Sequence, residues 1–399
     1  MMKVFYSILL FLICFVASTQ LIAKYWSPYL YFDDILFLLS SIVCLIDLIF
    51  YNKFSRTNVA AAVLLFSFIG ISFIFNFYSL NAFIAKLFYY FKPLFVFVFI
   101  SYLANKYMLT RYKQYLYNFF ILVCLFSIIE FYWVQYVDSN AIHYFSFSIR
   151  SGFYRASSVT WHPISLALLA FFSIIIGIEV LHDTRKWPYL IFITSVILSG
   201  TRFVMLLTAL YFLYRYLQHR RLVIKNFNLH GKHIYVFLYP LIFFFILGLS
   251  TYLNVKDHSS LRSVTFRTGV PLLTDPKVVG LGTGIGSFGS YESVVNESAV
   301  YDKINFSEHY KGVMSGANKR SGTENFFFMA LIEFGVIGLF LYFCVLLRIT
   351  SLKVTYFFSF YVLVIICITF VYPINSLPFM YLVNIFFPYG KGIPIHKND

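Results

Sequence analysis

Glu324 and Asn325 stand where a polar segment turns into an apolar run, SGTENFFFMALIEFGVIGLFLYF over 321–343. A carboxylate and an amide at the mouth of a membrane-crossing helix can meet a substrate that is half lipid and half polar. Glu333 lies deeper in the same run, by ~1.5 Å for each intervening residue, on the face it shares with Asn325. An ionisable group inside an apolar run is costly and marks function by default. Glu324 also has a purely structural use, because an acid suits the positive end of a helix dipole. Gly335 and Gly338 suit close helix packing rather than chemistry.

Five arginines form a second constellation: Arg150 and Arg155, Arg202, then Arg262 and Arg267. All fall in connections on the side of the membrane that is otherwise poor in basic residues. The planar guanidinium donates to two oxygens at once, which makes arginine the residue of phosphate recognition. Together they read as a diphosphate site; taken singly, each could instead snorkel to lipid headgroups at a helix end. His162, followed by Pro163 at the start of a span, adds a candidate substrate contact, and His309 is a weaker one. Lys86, near the outer end of another span, either snorkels or joins the cationic site.

The glycine-rich run GLGTGIGSFG (280–289) matches a dinucleotide fingerprint only formally. No strand–helix–strand context surrounds it, and no Lys-Ser/Thr follows it as a P-loop requires. A tight turn, or a nest of backbone N–H groups near an anion, is the better use.

The elements that must carry these residues are membrane helices. The chain has 399 residues, 60% of them hydrophobic and only 12% charged, with mean hydropathy +0.78. A soluble domain carries about 25% charged residues, so the balance excludes an ordinary globular enzyme. The net charge of +15 does not signal nucleic acid, because Lys and Arg fall mostly in short loops between apolar runs, as topology signals do. Apolar segments of crossing length occur near 3–23, 30–51, 59–77, 84–104, 115–136, 160–181, 187–200, 203–217, 233–252, 324–348, 353–372 and 376–390. That predicts about twelve spans, the first an uncleaved helix rather than a signal peptide.

With both termini cytoplasmic, every inside connection carries Lys or Arg, whereas the short outside loops carry only Lys24, Arg150, Arg155 and Arg202. The chain then divides into spans one to nine over 1–252, a large outside loop over 253–323, and spans ten to twelve with a cytoplasmic tail over 324–399. A connection this long is usually functional or disordered. Its apolar stretch and glycine cluster favour an ordered lid. The five cysteines all lie inside apolar runs, so neither disulfides nor a metal cluster is expected.

In this order, four local segments resemble the bacterial O-antigen polymerases, which share a superfamily of multi-spanning glycosyltransferases with the O-antigen ligases. RASSVTWHPISLAL (155–168) is similar to the family's Arg-plus-Pro opening of a middle span, and LSGTR (198–202) to its Ser/Gly-Arg turn. PKVVGLGTGIGSFG (276–289) is similar to the Gly-rich part of its large periplasmic loop. ENFFFMALIEFGVIGLFLYF (324–343) is similar to the helix after that loop. Ligases of the superfamily usually carry His before the Asn; Glu324 takes that place here, which favours a polymerase.

The resemblance implies an all-α, GT-C-like polytopic enzyme of the bacterial inner membrane. It would join oligosaccharide repeat units carried on undecaprenyl diphosphate, at the periplasmic face. Glu324 would be the general base for an acceptor hydroxyl. Arg155, Arg202, Arg262 and Arg267, with His162 and Asn325, would bind substrate, the arginines stabilising the diphosphate leaving group. No cofactor, metal or nucleic acid is expected. Membrane lipid and a chain-length regulator and flippase of the same pathway are the expected partners. The alternatives are a lipid-linked oligosaccharide flippase or exporter, and an O-antigen ligase.

Overall fold

An apolar run in a membrane has no water to satisfy its peptide groups, so it coils and bonds them internally. The computed structural model describes residues 56–76, 79–91, 110–144, 149–150, 152–160, 162–220, 261–306, 311–312 and 326–349, together with the isolated positions Ile35, Leu38 and Ile42. Of the residues so described, 81% are helical. In chain order the helices are α1 (Arg56–Asn76), α2 (80–91), α3 (Thr110–Tyr132), α4 (Pro163–Ile175), α5 (Trp187–Leu198) and α6 (Arg202–Arg220). There follow α7 (Leu261–Gly269), α8 (Pro276–Leu281), α9 (Tyr291–Val295), α10 (Ala299–Lys303) and α11 (Phe326–Ile349). A two-residue hairpin, β1 (Ile149–Arg150) with β2 (Phe153–Tyr154), pairs Ile149 with Tyr154 and Arg150 with Phe153.

Among the described residues, two helices are long and apolar enough to cross a membrane, Lys113–Val137 and Pro163–Val180. Both include a closing π turn, Trp133–Val137 after α3 and Ile176–Val180 after α4. The apolar stretches 63–76, 187–198, 202–213 and 328–342 are shorter.

The chain forms two compact units. In the first, α4 packs on α3, α5 and α6, and α5 packs on α3 and α6 as well; the stretch Leu166 to Ile176 of α4 and its closing turn is almost wholly inaccessible. Small residues on that helix, Ser165, Ala167, Ala170 and Ser173, let its neighbours approach closely. Between α3 and α5 the hydroxyls of Ser127 and Ser195 lie 3.0 Å apart. One end of this bundle carries charged residues: Arg185 donates to Asp183 at 2.7 Å, and Arg215 meets Glu179 at 3.1 Å. The Arg185 contacts hold the Asp183 carboxyl below its usual range.

In the second unit α1 and α8 both pack on α11. The core joins Leu65 and Ile69 of α1, Tyr90 and Phe91 of α2, and Met329, Phe334 and Tyr342 of α11. A separate cluster of Leu272, Phe288, Val300, Tyr301 and Phe306 fastens the segment 270–306 onto Phe328 and Ile332 of α11. Helix α11 is not continuous. Gly335 adopts φ 67° and ψ 179° and breaks it. This corrects the sequence reading of one unbroken span over 324–348. Of the two uses open to Lys86, burial argues against snorkelling: it is 3% exposed, with its ammonium 4.2 Å from the Tyr89 ring centre.

Candidate functional site

At the opposite end of the first unit from Asp183, three predicted residues come together. The connection from α3 to α4 is held by a carboxylate, Glu130, on the last helical turn of α3. Glu130 is 1% exposed. One of its oxygens accepts from the Tyr154 hydroxyl and from the N–H and hydroxyl of Ser157, both at 3.2 Å; the other accepts from the Ser158 N–H at 2.6 Å. Gln135 accepts the Tyr154 N–H at 2.9 Å. Arg155 sits within this pinned stretch. Its Nε donates to the Ser199 carbonyl at 2.8 Å and its Nη2 to the Thr201 hydroxyl at 3.2 Å. The Ala156 N–H donates to Leu198 at 3.1 Å.

Arg155 therefore clasps the turn 198–201 that leads directly into Arg202, the exposed first residue of α6. His162 caps α4: its Nδ1 accepts the Ile164 N–H at 3.3 Å. That leaves the proton of a neutral ring on Nε2.

In the second unit the glycine-rich segment lies against the break in α11. Thr283 and Gly284 donate their N–H groups to the carbonyls of Ile332 and Glu333, at 2.8 and 3.1 Å. The Thr283 hydroxyl adds a bond to Ile332 at 3.1 Å. From α1, Asn76 donates to the Gly282 carbonyl at 3.3 Å. The Glu333 side chain, 0% exposed, enters the loop itself. It accepts from the Phe288 N–H at 3.0 Å, from the Tyr90 hydroxyl at 2.5 Å and from the Gly286 N–H. The anion in this backbone nest is thus the protein's own carboxylate, with the Lys86 charge acting on it. Beyond the nest, Tyr301 accepts the Gly289 N–H at 2.9 Å and lies 2.6 Å from the Ser293 hydroxyl. Burial pushes its phenol above the usual range, so it serves as a neutral strut.

The glycines are there for close approach. Gly282 has φ +77°, and a Cβ on it would overlap the Glu333 carbonyl. A Cβ on Gly335 would lie 2.6 Å from the Gly280 carbonyl. Backbone against backbone cannot yield as a side-chain tip does. Gly282→Ala is therefore expected to destabilise by more than the ~1–2 kcal/mol of the left-handed conformation alone. Thermal survival of detergent-solubilised protein measures it; an unchanged melting profile would contradict the packing described.

Among the other predicted residues, Arg267 is half-buried on α7, and Arg262 stands five residues earlier on that helix. Arg150 belongs to β1. Glu324, Asn325 and His309 lie outside the described residues. Among the described residues, no group of three or more His, Cys, Asp or Glu side chains is gathered as a metal site needs.

Sequence reasoning passed over Glu130. The signal was present: a single carboxylate in the apolar run FSIIEFYW (126–133) obeys the same rule that singled out Glu333. No protein-family model, curated protein or solved structure matches this chain.

Proposed function

We propose that this chain is an O-antigen polymerase: a GT-C-like inner-membrane glycosyltransferase with about twelve spans. It joins oligosaccharide repeats carried on undecaprenyl diphosphate at the periplasmic face. One observation carries the reading. The four segments that resemble the polymerase family fold in pairs. The segment 155–168 clasps 198–202 through Arg155, and 276–289 embraces the described part of 324–343 through Glu333. Segments far apart in the chain thus form two built structures, each with residues suited to polar chemistry.

In the reaction, the acceptor hydroxyl attacks the anomeric carbon of the glycan on the donor carrier. The new glycosidic bond forms as the sugar–phosphate bond breaks. The hydroxyl proton passes to Glu324, and undecaprenyl diphosphate leaves with the electron pair. Arginine donors stabilise the charge that develops on it. Asn325 and His162 orient the sugars.

Deletion of the gene followed by electrophoresis of the lipopolysaccharide tests this. A polymerase loss leaves core plus one repeat. Bare core would transfer the assignment to a ligase or flippase, and an unchanged ladder would remove the chain from this pathway.

Two further results are expected. Alanine at Arg155, Arg202 or Arg267 should curtail long chains while the protein stays in the membrane. Lysine should restore them only in part, for want of the bidentate fork. Normal ladders from all three alanine variants would reduce these arginines to headgroup contacts. For topology, a membrane-impermeant thiol reagent applied from outside should label Ala299→Cys and spare Lys225→Cys. The reverse pattern would invert the orientation and move the site to the wrong side of the membrane.

A further inference from the structure

We infer that Glu130 is a positioning residue, acting through Arg155 on the diphosphate site; this rests on the reading of Arg155 given above. The geometry is specific. The Glu130 oxygens take bonds from Tyr154, Ser157 and Ser158, which bracket Arg155 closely on both sides. The backbone of Arg155 is therefore fixed by a group one helix away. The guanidinium in turn fixes Ser199 and Thr201, and so the start of α6 at Arg202.

The chain of contacts runs Glu130, the 154–158 backbone, Arg155, the 199–201 turn, Arg202. Without the carboxylate, the connection, which carries the β1–β2 hairpin and a positive-φ serine, Ser158 at +52°, loses the acceptor shared by the Tyr154 hydroxyl and the Ser157 and Ser158 N–H groups. The whole device lies within one unit.

Why a carboxylate is needed follows from the donor count. Every group facing Glu130 in these bonds is a donor, on both of its oxygens. Glutamine would turn an NH2 toward one set of donors and lose those bonds, although its size is right. The cost would fall on the precision of Arg155, not on any substrate contact of its own. Misplacing a binding group by an ångström reduces catalysis by as much as 10²-fold.

The test uses the full chain in detergent, with its five native cysteines replaced by serine. A nitroxide on Phe153→Cys, where the native side chain is 60% exposed, reports the mobility of the connection. Binding of farnesyl diphosphate reports the site. Glu130→Gln is expected to mobilise the nitroxide and to weaken binding about tenfold, with the Glu130→Gln/Arg155→Ala double variant no weaker than Arg155→Ala alone. Tyr154→Phe, which removes one donor and leaves the carboxylate, should move both readouts in the same direction by less, and it carries the test if the glutamine variant fails to fold.

An immobile nitroxide in Glu130→Gln would overturn the proposal. So would a double variant weaker than Arg155→Ala by the full factor of the glutamine change, because Glu130 would then act independently of Arg155. Mobilisation of the label with unchanged binding in both Glu130→Gln and Arg155→Ala would overturn the diphosphate reading itself, leaving Glu130 as the anchor of the connection alone.

Discussion

Glu324→Gln is expected to yield cells whose lipopolysaccharide stops at core plus one repeat, with the protein inserted at its normal level. In the sequence the carboxylate stands where a polar segment gives way to an apolar run. Glutamine keeps the shape and most hydrogen bonds but cannot accept the hydroxyl proton. Loss of a general base lowers the rate by roughly 10²–10⁴-fold, enough to abolish a ladder that needs many successive additions. The competing role, a negative charge near the start of a helix, predicts something different. Its removal costs only ~0.3–1 kcal/mol and would leave the ladder intact. Electrophoresis with a parallel immunoblot separates the two. A full ladder from the glutamine variant would remove Glu324 from the mechanism and make His162 and His309 the next residues to change.

Glu333→Ala should have an effect of another kind, on folding. The substitution deprives the Phe288 and Gly286 N–H groups and the Tyr90 hydroxyl of their acceptor. Each donor left buried and unpaired costs ~1–3 kcal/mol. Lys86, buried nearby, also loses the carboxylate whose field acts on it. Against a typical stability of ~5–15 kcal/mol, little folded protein would remain. Glutamine at this position keeps one acceptor oxygen and should fall between the two. Fluorescence-detected size exclusion after graded heating gives the order wild type, glutamine, alanine. An alanine variant as heat-resistant as the wild type would show that the glycine-rich segment is held by something other than Glu333.

The helical character of the chain was legible because an apolar run in a charge-poor sequence has few ways to satisfy its backbone. The run 160–181 becomes Pro163–Val180, and 203–217 falls within Arg202–Arg220. The proximity of Arg155 to the 198–202 turn was not legible, since it depends on a side chain reaching across helices. Neither was the break at Gly335. Its neighbours keep a helical apolar pattern, and the donors that replace the lost helical bonds come from Thr283 and Gly284, some fifty residues earlier. Glu130 was legible as a lone carboxylate in an apolar run, but its partners Tyr154, Ser157 and Ser158 lie over twenty residues on and only the fold brings them to it. The glycines were legible as a turn or nest. That the nest would be filled by Glu333 needed the tertiary structure, because the sequence shows donors and acceptor but not their pairing.

The interrupted helix α11 has a consequence for how the protein is made. The ribosome delivers residues 276–289 before 326–349, so the strip that bridges the break emerges first. On the proposed membrane reading, α11 entering the bilayer alone would expose the Ile332 and Glu333 carbonyls and a carboxylate to hydrocarbon, a costly state. Its stable insertion therefore waits on an earlier event, the arrival of the glycine strip at the same place. Biogenesis acquires a built-in order, in which a segment already delivered serves as the template on which a later helix is completed.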